Sequence, residues 1–127
     1  MKKDRVLYPA AFSKDGDYSF IRVPDLQGGF TQGNDTLDAV TMAEDLIGNL
    51  LEDQSEYPKP SNPEDIKLED GESLVYISVD LAEFRLKYSR TVRKNVTIPE
   101  YLNVIAKERK INVSQVLTEA LRAKLEV

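Results

Sequence analysis

Hydrophobic and polar positions alternate at the start of the chain and change to helical spacing further on. Val6, Tyr8, Ala10 and Phe12 alternate with Leu7, Pro9 and Ala11, which predicts a strand, and Pro9 argues for an edge or strand-end position. Lys14-Asp15-Gly16-Asp17 supplies a hairpin turn, because Asp-Gly tolerates the positive φ that a tight turn needs. The return strand runs from Tyr18 to Val23. Pro24 to Gly29 forms a further turn before a short third strand, Phe30–Gly33. Asn34-Asp35-Thr36 then reads as a helix start, with Asp35 or Thr36 as N-cap and Asp38 in the first turn. Leu37, Val40, Ala43, Ile47 and Leu50 follow at helical spacing, widened by Leu46 and Leu51, and this stripe should lie on the sheet. The prolines of Tyr57-Pro58-Lys59-Pro60-Ser61-Asn62-Pro63 cannot continue that helix. The segment suits a linker, a partner-facing loop or a protease-sensitive site. Glu64–Glu72 is an acidic loop, Leu74–Val79 the strongest strand of the chain, and Asp80–Tyr88 a short helix carrying Leu81, Phe84 and Leu86. Residues 1–90 are therefore expected to form a small α+β layer, an antiparallel sheet with one main helix packed on a face.

A second pattern begins after Ser89-Arg90-Thr91. In Val92–Ile98, Val96 and Ile98 fall on one face of an alternating strand, and Arg93, Asn95 and Thr97 on the other. Pro99 suits the first position of a helix, where its missing N–H costs nothing, and Glu100 complements the helix N-terminus. Leu102, Ile105 and Ala106 face inward, and Lys107, Arg109 and Lys110 close the helix with charge that suits its dipole. Asn112 reads as the N-cap of a second helix, with Gln115 completing a capping-box variant. Val113, Val116, Leu117, Ala120, Leu121 and Leu125 make that helix's inward stripe. A lone strand cannot satisfy its own backbone, and a segment this short cannot bury an independent core. Pairing with a twin solves both problems and gives a two-stranded ribbon narrow enough for the major groove. The plainer reading is an α-helical dimerisation arm with a solvated strand; the basic balance of the segment and the element order argue against it.

That order, strand, proline, helix, capped turn, helix, resembles the ribbon-helix-helix repressors over residues 91–127. The resemblance implies that the strand face bearing Arg93, Asn95 and Thr97 meets the bases. Arginine can bond guanine bidentately, asparagine can do so with adenine, and threonine offers a hydroxyl and a methyl. The helix N-terminus at Asn112, Val113 and Ser114 points unpaired N–H groups outward and can bind a DNA phosphate. A homodimer would then read operator DNA with inverted half-sites.

Composition narrows the chemistry. The chain has neither cysteine nor histidine, which removes thiol chemistry, disulfides, the commonest general base and the commonest transition-metal ligand. No cofactor or metal is expected. Lys2 replaces the glycine that myristoylation needs, no long apolar run is present, and the chain is expected to be cytoplasmic with no membrane partner. Net charge informs only when divided. Residues 1–90 hold ten Lys/Arg against eighteen Asp/Glu, giving −8, whereas residues 91–127 hold seven against four, giving +3. Two surfaces with different partners fit this asymmetry, the basic end suiting phosphates and the acidic remainder a basic protein.

The run Ile21-Arg22-Val23-Pro24-Asp25-Leu26-Gln27-Gly28-Gly29-Phe30-Thr31-Gln32-Gly33-Asn34-Asp35-Thr36, preceded by Tyr8-Pro9-Ala10 and Asp15-Gly16, resembles the HicB antitoxin family. With the C-terminal segment the resemblance covers nearly the whole chain. It implies a type II toxin–antitoxin pair. The N-terminal domain would be a degraded, partial RNase H-like fold that binds and blocks a HicA-like ribonuclease, and the C-terminal module would repress the shared operon. Assembly above the dimer, on DNA or with toxin, is left open. Asp25, Asp35, Glu44, Asp45, Glu52 and Asp53 are toxin-facing candidates by charge alone, and a solvated surface accounts for each more simply. Two other functions compete: a ligand-sensing repressor without a toxin, and a metal-dependent nuclease inherited from the RNase H ancestry. The first strand carries no acid and the carboxylates crowd into turns and the helix surface, so no enzyme activity is expected. Gly28, Gly29 and Gly33 read as turn residues, since they lack the helix-opening pattern of a phosphate-binding loop.

Overall fold

The computed structural model describes residues 4–127, which divide into two compact units between Ser89 and Arg90. The first unit contains strands β1 (Arg5–Asp15), β2 (Tyr18–Arg22) and β3 (Phe30–Gly33), helix α1 (Thr36–Leu51), strand β4 (Ser73–Asp80) and helix α2 (Leu81–Tyr88). A single 3₁₀ turn, Pro63–Asp65, interrupts the long α1–β4 connection. All strand pairs are antiparallel, in the order β3-β2-β1-β4.

Asp15 lies opposite Tyr18, so the hairpin turns on Gly16 and Asp17, one residue later than the Asp15-Gly16 pair the sequence favours. Of these two only Gly16 has positive φ, at 62°, as in a type II′ turn. Such a two-residue turn closes on a pair that exchanges both backbone hydrogen bonds. Counting back by twos, Ser13 and Ala11 also bond toward β2, while Phe12, Ala10, Tyr8 and Val6 bond toward β4. This geometry corrects the reading of Pro9. Its strand is central, not an edge, yet the β1–β2 ladder begins only at Ala11. Pro9 therefore turns its N–H-less nitrogen to a side where β1 has no ladder partner, and its ring is buried.

The core lies between the sheet and the helices. Tyr8, Ala10, Ile21, Ile77 and Val79 from the strands meet Ala39, Ala43, Ile47 and Leu51 of α1, with Leu81 and Phe84 of α2 closing one end. Val40 and Leu50 pack beside this cluster as the periodicity predicts, but Leu37 is 76% exposed and Ala39 takes the innermost place. The physical reason is a close approach at Gly33. A methyl there would run into the backbone of Asp38 and Ala39, so β3 and the first turn of α1 touch main chain to main chain. Only a small residue fits at the facing helical position. Gly33 is thus a contact glycine, not a turn glycine. Asp35 is the N-cap, accepting from Asp38 N at 2.7 Å, one of the two alternatives the sequence allows.

The proline-rich stretch is not a linker. The Tyr8 hydroxyl donates to Pro58 O at 2.6 Å, Ser61 N donates to Asp25 Oδ2 at 2.9 Å, and Tyr57 packs against the core. Arg85 ties its start down, donating to Glu52 O (2.8 Å), Asp4 Oδ2 (2.8 Å), Gln54 O (3.2 Å) and the Tyr57 hydroxyl (3.0 Å). A planar guanidinium with five donors can serve four acceptors from three segments at once.

The second unit holds α3 (Glu100–Glu108) and α4 (Val113–Leu125). Val92–Ile98 is not a strand in this structure. A strand is defined by its ladder, and among the described residues this segment meets no strand to pair with.

Candidate partner and nucleic-acid interfaces

The C-terminal unit is shaped by its helix ends. Pro99 stands at the N-cap of α3, one residue before the first helical position expected of it, and makes no side-chain cap. At the other end Ile111 N donates to Ala106 O (3.0 Å) and Lys110 N to Lys107 O (3.2 Å), with Lys110 at φ 55°. This is a Schellman stop with lysine where glycine is usual. Asn112 then caps α4, its side chain accepting from Gln115 N at 3.1 Å. Gln115 does not return the bond as a capping box would; its amide reaches Glu119 Oε1 at 3.2 Å, one turn on. Val113 and Ser114 occupy the first turn, where N–H groups have no intrahelical acceptor. Both are exposed, so these donors are free to meet an anion.

Arg93, Asn95 and Thr97 are all exposed, as are Val96 and Ile98. The apolar stripes of α3 and α4 are equally bare. Leu102, Ile105, Val113, Val116, Leu121 and Leu125 are exposed, and only Ala106 and Leu117 reach half-burial. Among the described residues, the inward face expected of these helices is therefore left exposed. Two short helices cannot enclose a core between them, and exposed apolar residues in this number suit a surface that meets a partner.

In the first unit, the sheet face away from α1 carries a cleft of about 480 Å³ lined by Phe20, Arg22, Phe30, Gln32 and Glu72. Phe30 is 73% exposed. Arg22 clamps Glu72 with bonds of 2.7 and 3.1 Å and also donates to Lys67 O, fastening the acidic loop to β2. That guanidinium, together with the Glu69 N–H, holds the Glu72 carboxyl below the usual glutamate range. Burial, with the Asp25 charge nearby, pushes the Tyr8 phenol up.

The six acidic candidates do not form one site. Asp25 is occupied by the backbone and hydroxyl of Ser61, and Asp35 by its capping bond. Glu52 sits at the C-cap of α1 with one carboxylate oxygen buried and, among the described residues, without a partner. Asp53 is exposed just beyond it. Glu44 and Asp45 do come together, with Asp80 and Glu83, around a cleft of about 290 Å³. The Arg22–Glu72 clamp and the Arg85 hub escape sequence reasoning because their partners lie 28 to 81 residues apart. The one local signal was β2 itself, where Phe20 and Arg22 alternate with inward Ser19 and Ile21, a strand loaded on both faces.

No three His, Cys, Asp or Glu side chains gather as a metal site among the described residues, and no described helix is long and apolar enough to cross a membrane. The class defined by these features is an α+β protein of two units whose chemistry lies on exposed faces. A model of the HicB-like antitoxins of bacterial toxin–antitoxin systems matches residues 8–121, and the chain belongs to that family. Among solved structures, a chain of a toxin–antitoxin complex from Streptococcus pneumoniae is 28% identical with a TM-score of 0.53, the match covering 95% of this chain and 99% of that one. The antitoxin HicB of Burkholderia pseudomallei shares the fold at 24% identity and a TM-score of 0.53, over 95% and 97% of the two chains. No curated protein sequence matches.

Proposed function

We propose that this chain is a type II antitoxin with two tasks. Its first unit, of partial RNase H-like ancestry, binds and silences a small HicA-like ribonuclease. Its second unit dimerises as a ribbon-helix-helix and represses the operon that encodes both proteins. The observation that carries this reading is the uncovered apolar face of residues 96–125 in a chain that belongs to the HicB-like antitoxins. A second copy would bury Val96 and Ile98 in a shared ribbon and seat the helical stripes on their twins. Arg93, Asn95 and Thr97 would then stand on the ribbon's outer face in two copies, facing base edges, while Val113 and Ser114 N–H meet the flanking phosphates.

The acidic first unit suits a toxin with an RNA-binding, positively charged surface. Inhibition is occlusion of that surface, and the protein itself catalyses nothing. Co-purification with the product of the adjacent gene, followed by operator binding with and without it, tests both tasks. A stable complex and a shift specific to a two-fold operator are expected; neither would occur if the reading is wrong.

One observation favours a second reading, a ligand-sensing repressor without a toxin. The cleft beside Phe20 and Phe30 is of a size that holds small molecules. Both readings give operator binding, and only the antitoxin gives a complex with a ribonuclease.

A further inference from the structure

β4 is the outermost strand beside β1, and its other edge is unpaired among the described residues. The hairpin register settles which groups lie there. Ser73, Val75, Ile77 and Val79 bond β1, so the N–H and C=O of Leu74, Tyr76 and Ser78 point to the free edge. The strand runs eight residues with no proline and no charge between Ser73 and Asp80. Edges left open in this way lack the usual protections and act as templates for another strand. At its C-terminal end the edge opens onto the cleft bounded by Glu44, Asp45, Asp80 and Glu83. The two cations there are already engaged, Arg5 with Asp80 at 3.9 Å and Lys87 with Glu83 at 3.8 Å. Glu44 and Asp45 make no ion pair among the described residues.

We infer that the toxin docks by adding an extended segment to the free edge of β4, with a Lys or Arg of that segment lodged against Glu44 and Asp45. The inference rests on the antitoxin reading and gives it a location. Main-chain bonds to Leu74, Tyr76 and Ser78 supply adhesion, and the carboxylates select a basic partner. A second copy of this chain suits the edge poorly. Two-fold antiparallel pairing of β4 with itself would set the Asp80 end of one strand beside the Glu69-Asp70-Gly71-Glu72 end of the other, acid against acid.

Two variants of the full chain test this against the ribonuclease encoded next to it. Ser78→Pro deletes one outward N–H and leaves the ladder to β1 intact. The double variant Glu44→Lys, Asp45→Lys reverses the charge on the solvent side of α1, and keeps the test decisive should the proline variant misfold. Each is expected to weaken toxin binding at least tenfold, with operator binding unchanged. Phe30→Ser, on the open sheet face, is expected to bind toxin as the wild type does. Wild-type affinity in both edge variants would overturn the inference and leave the antitoxin reading standing, as would a loss confined to Phe30→Ser. A lower mass of toxin-free Ser78→Pro would assign the edge to a second copy and overturn it too. Failure of the unmodified chain to bind any ribonuclease would remove the antitoxin reading, and this inference with it.

Discussion

Single side chains carry two separable chemistries in this protein. Arg93 lies exposed in the extended segment before α3. If it reads a base, Arg93→Ala should cost about 1–3 kcal/mol of operator binding and relax specificity at one position of each half-site, measured by titration against a substituted operator series. Lys94 is the control, since alternation turns it away from Arg93; an equal, sequence-specific loss there would mean that the other strand face meets DNA. Glu72 tests the first unit. Its pairing with Arg22 lowers its folded-state pKa, so the pair stabilises the fold fully above the ordinary glutamate value of about 4.3. That contribution is lost as pH falls through the lowered value. Wild type should therefore melt above Glu72→Gln near neutrality, with the gap closing below about pH 4. A gap that persists in acid would mean that the pair does not hold the loop to β2.

At the scale of elements, local patterns were legible and pairings were not. The first hairpin, the Asp35 cap, β4 and the Asn112 cap of α4 follow from turn chemistry and alternation within a few residues. Leu37 could not be told from Ala39 as the buried position, because both fit a helical stripe and only the Gly33 approach selects the smaller. Gly33→Ala should thus drive its methyl into the α1 backbone and destabilise the first unit by about 1–3 kcal/mol, read as a lowered Tm. Pro9 misleads for a related reason, since proline reports a missing ladder bond on one side and not the rank of the strand in the sheet. In the second unit, Ser114→Pro removes one N–H from the first turn of α4 where proline is tolerated. It should weaken binding to operator and random DNA alike, and an unchanged Tm beside that titration separates the outcome from a folding defect.

The whole molecule joins an acidic unit with a buried core to a basic unit whose apolar residues stay exposed. The sequence pattern reached the second unit's helices and their apolar stripes. Among the described residues those stripes stay exposed, and a strand at Val92–Ile98 requires a partner that no local pattern can provide. The acidic candidates were scattered for the same reason. Charge is read one residue at a time, whereas only the fold brings Glu44 and Asp45 beside Ser78–Asp80 of β4. Silencing of a ribonuclease by this chain is measured by titrating it into an RNA-cleavage assay of the adjacent gene's product. Cleavage should fall in proportion to added chain and cease at a fixed stoichiometry; cleavage that continues undiminished at excess chain would mean that this chain is not the ribonuclease's antitoxin.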